Sequence, residues 1–336
     1  MESPRESFSG SGVPQHLIGC VNCVIFVCRN DGDYRRCVAA CLVEGVYIQE
    51  HDRQKNSQGT PQALAPPWWE SFGFKLIEQL EDVNDHSIFG AIYEIVSSHY
   101  LDEAPKRVIA FRGTLFKRDT WRQDLKLDFE IFFNRLQESS RFGLAMEIVR
   151  NMAAEYGAAN IWLAGHSLGS AMALLVGKNM FKNMGYAIET YLFNSPSISS
   201  FPIEQRLEND KAKNALRSAK GFLKTGVTFT LKGHQQRRED RKNFVALSEW
   251  VPNLFVNPYD PICSGYIGHF QKRKSMGKLR TRISISGTLE SELLLPSAFL
   301  TQNMNPSKNF IPDHGIQQWW SPELSSHSER HIFKFK

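Results

Sequence analysis

No stretch of the 336 residues approaches the roughly 18 consecutive apolar residues of a membrane-spanning helix. The opening segment, Met1 to Gly12, is small and polar and lacks the positive-then-apolar layout of a secretory leader. Charge of neither sign dominates. The formal net charge is +5, and no nucleic-acid-binding motif accompanies it, which argues against a nucleic-acid partner. That small positive balance is compatible with a weak attraction to anionic membrane surfaces. Cys20-Val21-Asn22-Cys23 looks like half a zinc site or a redox pair, but no second pair of matching spacing accompanies it: Cys37 and Cys41, four apart, share a helical face, and Cys28 breaks any tidy pattern. Five of the six cysteines (Cys20, Cys23, Cys28, Cys37 and Cys41) fall within 22 positions, with Cys263 far downstream. Their spacing completes no zinc site, so they read as buried structural thiols. Internal repeats are absent. The expectation is a soluble cytoplasmic protein, at most peripheral to membranes, whose oligomeric state the sequence does not reveal.

What is present is an ordinary globular balance, with 42% hydrophobic and 22% charged residues, enough to bury a large core. Residues 1–15, rich in Ser, Gly and Pro, read as a flexible tail, and residues 16–336 as a single domain. Apolar recurrence predicts a helix from Tyr34 to about Gln49, and the prolines and polar residues of 53–67 predict a loop. The spacing of Trp68, Phe72, Leu76 and Leu80 predicts a second helix, so residues 34–82 form a helical layer. Strands are expected at Ile88–Val96, Arg107–Arg112, Ile161–Ala164, Thr190–Phe193 and Leu254–Val256. Helices are expected at Ser140–Tyr156, stopped by Gly157, and from just after Ser167 to about Lys182. Strands alternating with helices imply a mostly parallel sheet covered on both faces.

The chemistry begins at Gly165-His166-Ser167-Leu168-Gly169. An isolated G-x-S-x-G says little. Here four apolar residues precede it and Ala171-Met172-Ala173-Leu174-Leu175-Val176 follows, the strand–turn–helix setting of the nucleophile elbow in α/β-hydrolases. A serine nucleophile needs a sharp, strained turn to lift its hydroxyl clear of the backbone, and glycines on either side let strand and helix pass closely. The helix starting behind Ser167 turns free N–H groups toward a developing oxyanion, with that of Leu168 as the first donor. His166 reads as packed near the elbow and not as the base, because adjacent side chains diverge. The competing reading is a plain turn with a capping serine.

Two stretches resemble the class 3, or fungal-type, lipase family, and its plant lipase-like members most. They are Ile161-Trp162-Leu163-Ala164-Gly165-His166-Ser167-Leu168-Gly169 and Val108-Ile109-Ala110-Phe111-Arg112-Gly113-Thr114. Trp121 and Asp124 resemble the Trp and Asp that follow the second motif in the family, and the likeness spans roughly residues 87–320. The resemblance implies the α/β-hydrolase fold, ester hydrolysis without metal or cofactor, and a role for Thr114 in the oxyanion hole. A Gly-Asp-Ser-Leu block near the start is absent, so the different hydrolase family named for it is not supported.

In this fold the acid and the histidine follow the nucleophile. Leu254-Phe255-Val256-Asn257-Pro258-Tyr259-Asp260-Pro261 places Asp260 in a turn behind an apolar strand, a setting that Glu189, Glu249 and Glu290 lack. The competing reading of Asp260 is a turn residue bonded to its own backbone; triad order and setting together favour the catalytic one. The downstream histidines are His269, His314, His327 and His331. His314 lies in a late loop, as in the family; His269 is the runner-up, and His327 and His331 read as a solvated polar tail. The expected site is therefore Ser167, Asp260 and His314, with Thr114 and Leu168 as oxyanion donors.

About 60 residues separate the Phe193 and Leu254 strands, longer than an ordinary connection. Within them Glu204 to Asn243 carries eleven Lys and Arg against five Asp and Glu, with apolar residues at helical spacing. This basic helical insertion, at about 203–245, reads as a surface helix or as a substrate-side cover that meets anionic lipid. Cleavage of carboxylic esters, acyl lipids among them, is the leading expectation. A lipase-like interaction protein with little catalysis, or an acyltransferase on the same site, are the alternatives.

Overall fold

Along the strand Ile161–His166, Ile161 and Leu163 face one apolar cluster while Trp162 and Ala164 face another. That alternation requires cover on both faces, and the computed structural model supplies it. It describes residues 32–60, 63–64, 68–96, 105–114, 136, 138–197, 245–276 and 295–333. The tail at 1–15, Cys20, Cys23, Cys28, Trp121, Asp124 and the basic insertion at 203–245, save Val245, lie outside the described residues.

Among the described residues the sheet has eight strands in chain order. They are β1 (Phe74–Glu81), β2 (Ile88–Ile95), β3 (Arg107–Phe111), β4 (Ile161–His166), β5 (Glu189–Phe193), β6 (Asn253–Val256), β7 (Ala298–Asn303) and β8 (Ser326–His331). Strands β3 to β7 run parallel; β1, β2 and β8 extend the edges antiparallel. Helix α1 (Gly32–Lys55) covers one face together with the Ile316–Trp320 turn, packing Val38, Leu42 and Val46 near Ala110, Ala164 and Trp319. Helices α2 (Ser140–Tyr156), α3 (Leu168–Met184) and α4 (Gly265–Met276) contribute to the opposite cluster through Val149, Leu174 and Phe270. The architecture is that of an α/β-hydrolase.

Local signals explain the helix ends. Ser139 caps α2 by accepting the Phe142 N–H, and Gly157 ends it at φ 84°. Residues 168 to 178 of α3 are all buried, as befits a helix whose start lies under the site.

One expectation fails. Residues 68–82 are not a second helix: a 3-10 turn, Trp68–Phe72, is followed by Gly73 at φ 75° and then by β1. A β-bulge between Leu76 and Glu78 turns Leu76 toward the cluster under α1 and Leu80 toward the opposite one, so the helical spacing of these residues does not mark one common face. Pairing with β2 decides the matter. The helical layer is therefore α1 alone, and α1 runs on to Lys55, into the segment expected to be loop. Strands β7 and β8 and helix α4 are additions to the expected elements. His327 and His331 sit on β8 and not in a loose tail: His327 is exposed, and His331 stacks on Phe270 at 4.7 Å. Cys37, Cys41 and Cys263 are buried free thiols.

Candidate active site

The parallel strands end along one edge of the sheet, and residues just beyond those ends build the site. Behind β4 the chain turns so sharply that Ser167 is held at φ 55°, a left-handed conformation rare for serine. Its N–H donates to the Phe193 carbonyl at 2.9 Å, fastening the elbow to β5. The turn works only because the glycines admit close approach. A Cβ on Gly165 would lie 2.3 Å from the Gly169 carbonyl oxygen, and one on Gly169 would lie 2.3 Å from that of Phe111. Helix α3 therefore starts pressed against the end of β3, with the Leu168 N–H in its unbonded first turn.

His314 ends a five-residue helix, Phe310–His314, in the late loop between β7 and β8. Its Nε2 lies 3.0 Å from Ser167 Oγ and its Nδ1 lies 2.9 Å from Asp260 Oδ2. A carboxylate can only accept, so Nδ1 carries the proton in the neutral ring and Nε2 is left to accept from the serine hydroxyl. All three side chains are buried, Asp260 completely. Burial pushes the Asp260 carboxyl upward. The charge of His314 and donors from His314, Asn194 and the Ile262 N–H outweigh it together, so the group sits below its ordinary value and stays ionised.

Asn194 is a hub that sequence reasoning missed. It lies just past β5 at φ 47°, where asparagine is among the few tolerated side chains. Trp319 Nε1 donates to its Oδ1 at 2.6 Å. An indole only donates, so the amide orientation is fixed. The Nδ2 side then donates to Asp260 Oδ2 at 2.7 Å and to the Asp313 carbonyl at 3.1 Å, tying the acid loop to the histidine loop. The Cys263 thiol adds a donor to Asp260 Oδ2 at 3.1 Å; burial and that carboxylate hold the thiol protonated. Asp313 braces the histidine loop by accepting the Ser307 N–H at 2.7 Å and an Asn257 amide proton at 3.2 Å.

His166 lies outside the row of Ser167, His314 and Asp260, packed near the elbow as its sequence position suggested. Its Nδ1 meets the Tyr47 hydroxyl at 2.8 Å and its Nε2 meets the His314 carbonyl at 2.7 Å. Burial and the neighbouring His314 push its pKa down to about 3, so it is neutral. Thr114 is exposed at the end of β3 beside the elbow, where a Cβ on its neighbour Gly113 would lie 2.9 Å from Ser167 Cβ. The runner-up histidine, His269, is in α4 with its ring against Phe270. The sheet thus brings Ser167, His314 and Asp260 into one hydrogen-bonded row, with Thr114 and Leu168 flanking the serine. A site of this kind can transfer a proton from a hydroxyl and hold a new oxyanion.

Comparison with known proteins gives the same direction. The family described as Lipase (class 3) matches residues 108–220, from β3 past β5. An Arabidopsis thaliana protein named GDSL esterase/lipase is 36% identical across the full length of both chains. That name notwithstanding, the serine motif here reads Gly-His-Ser-Leu-Gly.

Proposed function

The chain belongs to the class 3 lipase family and is a carboxylic ester hydrolase, and from that premise we propose that it cleaves acyl-lipid esters through a Ser167–His314–Asp260 triad. His314 Nε2 takes the Ser167 proton as Oγ attacks the ester carbonyl. The N–H groups of Leu168 and Thr114 receive the tetrahedral oxyanion, each worth about 10²–10³-fold in rate. As the intermediate collapses, His314 gives its proton to the departing alcohol and leaves an acyl group on Ser167. Water repeats the cycle, with His314 as base and then as acid. Asp260 holds Nδ1–H and offsets the charge of the imidazolium. The supporting observation is the unbroken row from Ser167 Oγ to His314 at 3.0 Å and from His314 to Asp260 at 2.9 Å.

The test is a series of p-nitrophenyl esters of increasing acyl length, with fluorophosphonate labelling of the parent and of Ser167→Ala. Turnover in the parent should rise with acyl length, and both turnover and label should be lost in the variant. Turnover or labelling that survives Ser167→Ala rejects the triad, and a preference for acetate over longer acyl groups rejects the lipid substrate.

A further inference from the structure

Helix α1 lies outside the segment matched by the family, yet one of its side chains reaches the site. Tyr47 Oη accepts the Gly113 N–H at 2.7 Å and sits 2.8 Å from His166 Nδ1. Proton directions follow from chemistry. The His314 carbonyl only accepts, so His166 Nε2 must carry a hydrogen; the ring is neutral, so Nδ1 is bare and the Tyr47 hydroxyl donates to it. A single hydroxyl thus binds the loop behind β3 on one side and the elbow on the other. Through His166 it also reaches the backbone of His314.

The loop behind β3 is held at two successive peptides. Tyr47 takes the Gly113 N–H, while Arg112 Nη1 donates to the Gly113 carbonyl at 2.6 Å. That carbonyl and the Thr114 N–H share one rigid peptide plane. The Gly113 N–H is engaged by Tyr47 and is not offered to substrate, so Thr114 is left as the donor of this loop. A Cβ on Gly113 would lie 2.7 Å from Tyr47 Oη and 3.0 Å from the His166 carbonyl oxygen, so the glycine is clamped between them.

We infer that Tyr47 is a positioning residue that sets the oxyanion hole, orienting the Gly113–Thr114 peptide against the Ser167 elbow. The inference rests on the Ser167 mechanism proposed above. An interaction realised only when the oxyanion forms changes kcat and leaves KM alone. Removing the Tyr47 hydroxyl acts on that donor at one remove, so the loss should be about tenfold or more in kcat, below the loss expected for deleting the donor itself.

The experiment compares the parent, Tyr47→Phe and Ser167→Ala in the full chain. It measures kcat, KM, thermal midpoint and affinity for an alkyl boronic acid, which forms a tetrahedral adduct with a serine nucleophile. Tyr47→Phe should lower kcat about tenfold, weaken the boronic acid by a similar factor and leave KM within about twofold. Parental kcat in Tyr47→Phe beside an inactive Ser167→Ala overturns this inference alone, as does a rise in KM at constant kcat. An active Ser167→Ala overturns the triad itself. His166→Asn and His166→Gln keep the inference testable if Tyr47→Phe does not fold. Asparagine retains an acceptor near Tyr47 and should keep more of kcat than glutamine, which reaches toward His314 instead; the reverse order rejects the role.

Discussion

Replacing Glu44 with glutamine should stabilise the protein at alkaline pH and do little in acid. Glu44 lies on α1 one turn before Tyr47, is 7% exposed, and accepts a hydrogen bond from Gln317 Nε2 at 2.9 Å. Burial lifts its pKa from 4.5 to about 7, against the opposing pull of that hydrogen bond. Its titratable neighbours Cys41 and Tyr47 are themselves pushed upward and stay protonated through this range. Below pH 4.5 the carboxyl is protonated whether the chain is folded or not, so it has no pH-dependent effect there. Between 4.5 and 7 the unfolded chain loses the proton while the folded chain resists, so stability falls as pH rises. Above 7 the loss is complete. A difference of 2.5 between 4.5 and 7, at 1.36 kcal/mol per unit, amounts to about 3 kcal/mol. Glutamine is nearly isosteric, keeps an oxygen for Gln317 and cannot ionise. Urea unfolding at pH 5, 6, 7 and 8 should therefore show the Glu44→Gln advantage growing from below 1 to about 3 kcal/mol. An advantage that is the same at every pH, or that shrinks as pH rises, refutes the reasoning.

Two further outcomes follow from the site. Gly169→Ala would put a methyl group 2.3 Å and 2.5 Å from the Phe111 and Arg112 carbonyl oxygens. Helix α3 must then back away from β3, so ester turnover should drop by about 10²-fold while the fold loses about 1–3 kcal/mol in urea. Asn194→Gly keeps the backbone at φ 47° unstrained but strips Asp260 of its 2.7 Å donor and leaves the Trp319 indole unpaired. We expect kcat to fall by one to two orders of magnitude and stability by about 1–3 kcal/mol, read by steady-state kinetics and urea midpoint.

The legible parts of the sequence were those whose signal is local. Ile161–His166 followed by an apolar helix shows its class because strand, strained turn and helix are consecutive, and α2 carries both its capping serine and its stopping glycine. The hydrogen-bonded row of Ser167, His314 and Asp260 is legible because this fold orders a serine, an acid and a histidine along the chain, the latter two each in a loop behind a strand. Tyr47 carries no such mark. It is one tyrosine in a buried helix, and only the packing of α1 across the sheet gives it Gly113 and His166. Asn194 left a trace, since asparagine before Ser-Pro at a strand end suits a left-handed residue, but nothing local names Asp260 as its partner. β8 was invisible because an edge strand of Ser, His, Glu and Arg has no apolar alternation. β1 hides its period of two because a bulge between Leu76 and Glu78 sends Leu76 and Leu80 to opposite faces, leaving only their helix-like spacing in the sequence.

Strand order that follows chain order has a consequence for dissecting the molecule. Thr114, Ser167, Asn194, Asp260 and His314 stand behind β3, β4, β5, β6 and β7, one from each strand. The segment matched by the family, 108–220, holds only the first three of these. On the proposed mechanism, a fragment cut to that segment would carry the Ser167 elbow without Asp260 or His314, a serine with nowhere to send its proton. The proposed catalysis belongs to the finished sheet and to no smaller part of it.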